Sequence, residues 1–152
     1  MTFVVLDTGP LGLITNPRGK GAARECAEWL VDAIGQGHRI GVPEIADYEL
    51  RRELLRADKR PGLARLDEFK GEPSIEYLPL TTEAMLEAAR LWAHARTHGF
   101  PTAPDQALDG DVILVAQALL AERAGAQVVV AAANVGHLDR FEISARLWQE
   151  IR

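Results

Sequence analysis

Three consecutive valines, Val128, Val129 and Val130, inside a stretch spanning residues 127–132, constrain the fold of this chain more than any other feature. A strand with one wet face alternates apolar and polar residues, whereas a strand of a parallel sheet covered on both faces reads as an unbroken apolar run. Phe3, Val4, Val5 and Leu6 form a second such run, β-branched and aromatic, closed by the turn residues Gly9 and Pro10. Residues 40–42 and 75–80 supply two further short strands. Segments with helical patterning separate them, and this alternation predicts a three-layer α/β/α sandwich with a mostly parallel central sheet. Strand order does not follow from it.

The helical segments have readable ends. Residues 21–34 carry Cys26, Trp29 and Leu30 on an inward face and meet stop signals at Gly35 and Gly37. Pro43 suits a first helical position, followed by good helix formers over residues 44–57. Pro61 and Gly62 break that pattern before a short helical piece. Thr81 or Thr82 can cap a helix that runs to about His98 and stops at Gly99, with Met85, Ala88, Ala89 and Trp92 as its apolar stripe. A loop over residues 100–108 leads into a very apolar helix ending at Gly125.

Size and charge narrow the classes. The 152 residues make one domain, residues 1–152, large enough to bury a core without staples. Cys26 is the only cysteine, so no internal disulfide exists; it reads as a small core residue, and with no signal segment in view a cytoplasmic location is expected. The longest apolar stretch, residues 112–121, contains Gln117 and falls short of the ~20 residues that cross a bilayer, so no membrane association is expected. A net charge of -5 argues against a dedicated nucleic-acid binder, yet residues 51–65 hold six basic side chains against two acids. That segment is either a basic binding face or a solvated helix face.

The acids carry the functional signal. Asp7 ends the first strand, and in open α/β sheets ligands bind beyond the carboxyl ends of strands. Asp109 and Asp111 lead into Val112, Ile113, Leu114 and Val115, at the expected entrance of the apolar helix. A helix cap accounts for one of these aspartates and not for both. Glu49 lies four residues after Ile45, on the same helix face, and so either points inward or pairs with Arg52 in solvent. Asn134 follows the last strand as a crevice residue or a simple turn former. Carboxylates from distant segments suit Mg²⁺ or Mn²⁺, which take oxygen ligands. The four histidines, His38, His94, His98 and His137, have no zinc-like spacing and read as surface or helix-end residues.

Val5-Leu6-Asp7-Thr8-Gly9-Pro10, then Pro43-Glu44-Ile45-Ala46 with Glu49, then residues 108–118, and finally Asn134 with His137 and Phe141, resemble in order and spacing the PIN domains, which include the VapC ribonuclease toxins of toxin–antitoxin pairs. The resemblance covers nearly the whole chain. It implies a PIN-like fold in which Asp7, Glu49 and Asp111 are the principal metal-binding and catalytic acids and Asp109 an accessory ligand. It further implies hydrolysis of RNA assisted by Mg²⁺ or Mn²⁺, leaving 5′-phosphate and 3′-hydroxyl ends. Thr8, Asn134, Arg51 and Arg52 are then expected to meet the substrate. Where the family often has a fourth acid after the last core strand, this chain has Ala133 and Asn134, which leaves one metal or two open. A cognate antitoxin and a homodimer, the latter through apolar helix surface around Trp29 or Trp92, are the expected protein partners. The rival readings are a PIN-like domain that binds RNA or a partner without cleaving it, and a phosphatase, for which Gly9 stands where an Asp-x-Asp pattern needs its second acid.

Overall fold

The computed structural model describes residues 2–99 and 105–152. Five strands, β1 (Phe3–Leu6), β2 (Arg39–Pro43), β3 (Ile75–Leu78), β4 (Val128–Ala132) and β5 (Ala145–Leu147), form one sheet in the order β3-β2-β1-β4-β5. Every pairing is parallel. Six α-helices connect and cover it: α1 (Thr8–Ile14), α2 (Ala22–Gly35), α3 (Glu44–Arg56), α4 (Arg60–Lys70), α5 (Thr82–His94) and α6 (Asp105–Arg123). The result is the three-layer α/β/α sandwich expected from the alternation of strands and helices.

The two faces of β1 build two cores. Successive side chains of a strand point to opposite sides, so Phe3 and Val5 pack with Leu91, Leu108, Val112 and Val115 of the α5 and α6 layer. Val4 and Leu6 pack with Leu11, Ile14, Cys26, Leu30 and Leu66 of the α1, α2 and α4 layer. Both β1 and β4 are buried along their whole length. Cys26 is fully buried, and burial pushes its thiol up to about 12, which keeps it protonated and inert.

Several boundaries differ from the sequence expectation for physical reasons. The turn residues Gly9 and Pro10 lie inside α1, because Asp7 caps this helix and the first turn needs no N–H from Pro10. Pro43 is the N-cap of α3 rather than its first helical residue, and its extended backbone still pairs with Leu78 in the sheet. Pro61 and Gly62 open the eleven-residue α4 instead of breaking a helix, again because a first turn tolerates proline. Thr81 is the cap of α5, accepting from the Ala84 N–H. The helix expected to reach His98 changes to a π-helical turn over Ala95–Gly99. The acidic knot lies within α6, not at its start, since the helix already runs from Asp105. Of the loop expected over residues 100–108, residues 100–104 lie outside the described residues. β5 is not legible in the sequence: with only three residues on a sheet edge, it has too little pattern to register.

No helix is long and apolar enough to cross a membrane among the described residues.

Candidate functional site

The sheet order places the site. The chain leaves β1 toward β2 and β3 on one side and returns to β4 and β5 on the other, so the carboxyl ends of β1 and β4 flank the point where strand order reverses. Connections diverge there and leave a crevice. Asp7 sits at that crevice, directly after β1, with its backbone N–H bonded to Ala131 O of β4 at 2.9 Å. Its Oδ1 accepts from the Thr8 N–H at 2.7 Å, which caps α1 and fixes the carboxylate's orientation.

Glu49 arrives from α3. Its inward reading holds: the Thr8 hydroxyl donates to Glu49 Oε1 at 3.1 Å. The solvent-side alternative also has a trace, because Arg52 lies 3.8 Å from Oε2. Asp111 arrives from α6, and His137, from the loop after β4, joins the two aspartates. Its Nε2 is 3.5 Å from Asp7 Oδ2 and 3.7 Å from Asp111 Oδ1. Two glycines permit the crowding. A Cβ on Gly9 would lie 2.8 Å from Ala133 Cβ, so glycine lets α1 start against the end of β4. A Cβ on Gly110 would lie 2.8 Å from Glu49 Oε2.

The electrostatics are those of carboxylates gathered away from water. Burial pushes the Asp111 carboxyl up to about 6, reinforced by the charges of Asp7 and Glu49 and opposed by His137 and Arg140. Glu49 is raised as well, by burial first and by Asp7 next, against the lowering effects of the Thr8 hydrogen bond, Arg52 and His137. Asp7 and then Asp111 hold the His137 imidazole above its ordinary value. An all-oxygen, mutually repelling set of acids is the donor chemistry of a hard divalent cation. Among the described residues, however, no group of three or more His, Cys, Asp or Glu side chains is drawn together closely enough to hold a metal ion outright. Magnesium commonly uses one or two carboxylates and completes its shell with water and phosphate, so Asp7 and Asp111 facing each other across His137 suit such a cation in type and number.

Other expected site residues lie elsewhere. Asp109 is exposed and lines a groove with Met85, Ala88, Trp92 and Ile113, because residues two apart on a helix point in different directions. Arg51 faces α4, held by Asp47 at 2.9 Å and Asp67 at 2.7 Å. Arg52 stays at the rim, its guanidinium 5.1 Å from the centroid of the exposed Tyr48 ring. Asn134 uses its Oδ1 to accept from the Gly136 N–H at 3.0 Å, the turn-forming role. Trp29 packs on Trp148, with centroids 5.8 Å apart, and donates to Ile151 O, so it secures the C-terminus. Sequence spacing gives no sign of His137 as a site residue, because its partners are over a hundred and about twenty-five residues away along the chain; only its inclusion in the family pattern marks it.

Fold and site together define a parallel α/β domain with an acidic crevice at the switch point between β1 and β4. The chain belongs to the PIN domain family, whose pattern matches residues 4–133. Among solved structures it is similar to VapBC2 from Rickettsia felis bound to a promoter DNA fragment, with a TM-score of 0.72, 13% identity and coverage of 97% of this chain and 99% of that one. It is similar also to VapBC-1 from nontypeable Haemophilus influenzae, at a TM-score of 0.67, 13% identity and 98% and 100% coverage. FitAcB from Neisseria gonorrhoeae gives 0.65, 18% identity and 97% and 99% coverage. Comparison with curated protein sequences finds no match.

Proposed function

We propose that this protein is a metal-dependent endoribonuclease of the VapC kind, the toxin of a toxin–antitoxin pair. The observation that carries the reading is the meeting of Asp7, Asp111 and His137, with Glu49 tied in through Thr8, at the switch point of a PIN fold. PIN membership supports a phosphodiester hydrolase. The fold likeness to VapBC complexes supports an antitoxin partner and the toxin role.

Asp7 and Asp111 would hold Mg²⁺ or Mn²⁺, with Glu49 beside them. When bound, such an ion supplies Lewis-acid polarisation of a phosphate and a water of lowered pKa. The chain's own residues prepare that chemistry. Thr8 serves twice, its N–H fixing Asp7 and its hydroxyl fixing Glu49, so both carboxylates are oriented before substrate arrives. His137 offsets the repulsion between Asp7 and Asp111 and keeps them close. Arg52, half exposed beside Glu49, is a cation at the rim that an RNA phosphate could meet, whereas Arg51 is committed to two aspartates. An antitoxin segment would find a surface on the Glu49 helix, a cleft of about 790 Å³ lined by Leu50 and Leu54 of that helix with Gly12, Arg18 and Lys59. The homodimer is part of the same proposal and predicts twice the chain mass in sedimentation at micromolar concentration.

Cleavage assays on purified protein test the reading. Single-stranded or structured RNA should be cut with Mg²⁺ or Mn²⁺, and both EDTA and Asp7→Asn should reduce the rate at least ~100-fold. RNA binding with no metal-dependent cleavage would replace the nuclease by a binding domain. The absence of an antitoxin gene next to this one would remove the toxin role and leave the nuclease.

A further inference from the structure

Gly110 has no conformational reason to be glycine. It lies within α6, and its backbone is outside the left-handed region that favours this residue. Glycine in a helix interior costs stability relative to alanine. The reason lies in what a side chain would meet. From a Cβ at position 110 the three nearest atoms beyond its own helix all belong to one carboxyl group: Glu49 Oε2 at 2.8 Å, Cδ at 3.4 Å and Oε1 at 3.7 Å.

The obstructed group is the mobile end of a long side chain, so an added methyl would move the Glu49 carboxylate rather than the helix. That carboxylate is held on its other side by the Thr8 hydroxyl at 3.1 Å, with Arg52 at 3.8 Å. It is part-buried, touching α1 through Thr8 and α6 through Gly110. We propose that Gly110 is a positioning residue: its missing side chain leaves the space in which the Glu49 carboxylate rests against α6 while bonded to Thr8, at the position immediately before Asp111. The inference rests on the reading of this crevice as a divalent-cation site, for its effect on metal, and on geometry alone for its effect on Glu49.

The test is Gly110→Ala in the full chain, read in three ways. Its crystal structure should show the Thr8–Glu49 hydrogen bond broken. Thermal melting in EDTA should give a Tm equal to or about 2–4 °C above that of the unaltered protein, as expected for alanine in a helix. Calorimetric titration with Mn²⁺ should give roughly 10-fold weaker binding, the scale of a lost orienting contact. Added to Glu49→Ala, the same substitution should change Mn²⁺ affinity less than about 2-fold, because no carboxylate is left to displace. A variant whose Glu49 still bonds Thr8 overturns the proposal, as does an equal loss in the Glu49→Ala background. If the unaltered protein binds no Mn²⁺ while the Gly110→Ala structure shows Glu49 displaced, the metal reading fails and the positioning role stands.

Discussion

Asp111, a metal ligand in the proposed function, is costly to the fold that holds it. Its carboxyl is pushed up to about 6, so at neutral pH the folded protein carries a charge that the unfolded chain bears more easily. An acid raised in the folded state favours folding fully only below its unfolded value, near 4, and that benefit is lost as pH rises through about 6. Asp111→Asn should therefore melt higher than the unaltered protein at pH 7 in EDTA. The gain should equal about 2 kcal/mol, allowing for solvent screening of a partly exposed group, and should close between pH 6 and pH 4. The same variant should lose RNA cleavage by at least ~100-fold. A melting difference independent of pH would show that desolvation of the charge is not its cause. Residue by residue, Asp7 is legible in the sequence because a strand end is a local feature, whereas the spacing of Glu49 from Ile45 leaves an inward and a solvent-side reading open and only the family pattern chooses between them. Asp109 is not, because two acids that read as one knot are separated by about 200° of helix. His137 is marked only by its place in the family pattern, because nothing local distinguishes a loop histidine from one seated between two aspartates.

Among the elements, Gln117 joins three segments, two of which carry Glu49 and Asp111. It is a buried polar residue in the apolar stretch of α6, and its Nε2 donates to Leu78 O at 2.7 Å and to Pro79 O at 3.3 Å. Its Oε1 accepts from the Ile45 N–H at 3.3 Å. The end of β3, the first turn of α3 and the middle of α6 are thereby fixed to one another, and with them Glu49 and Asp111. Gln117→Leu keeps similar volume but leaves backbone groups without partners, so urea denaturation should report a loss of about 2–4 kcal/mol with an unchanged m-value. A loss below ~1 kcal/mol would mean that water replaces the amide. In the sequence Gln117 shows only as an interruption of an apolar stretch. A polar residue inside such a stretch signals a buried hydrogen-bonding duty, though not which segments it serves. Helix α1 is likewise hard to read, because Gly9 and Pro10 are turn residues everywhere except in a capped first turn.

Sheet order is the decisive fact for the molecule. Asp7 and Asp111 are more than a hundred residues apart, and they meet because β1 is central and β4 returns beside it. The proposed cation would bind this crevice in the folded chain only, so Mn²⁺ at about 100 times its Kd should raise Tm by roughly 5–10 °C, reversibly with EDTA. The Asp7→Asn protein should show little of that rise. An equal rise in Asp7→Asn would place the ion elsewhere.

Local pattern was enough for the layers and most of the elements. Unbroken apolar runs demand a sheet covered on both faces, and helical periodicity supplies the covers; both are properties of a few neighbouring residues. The chain also displays its acids at strand and helix positions and, through their order, its family. Which of those acids meet is an outcome of tertiary packing. Packing set Asp109 outside and His137 inside, committed Arg51 to a structural pair and Asn134 to its own turn, and gave Gly110 its reason. Side-chain direction and long-range pairing depend on strand order and helix rotation, and these are fixed by the packing of the whole chain rather than by any local pattern.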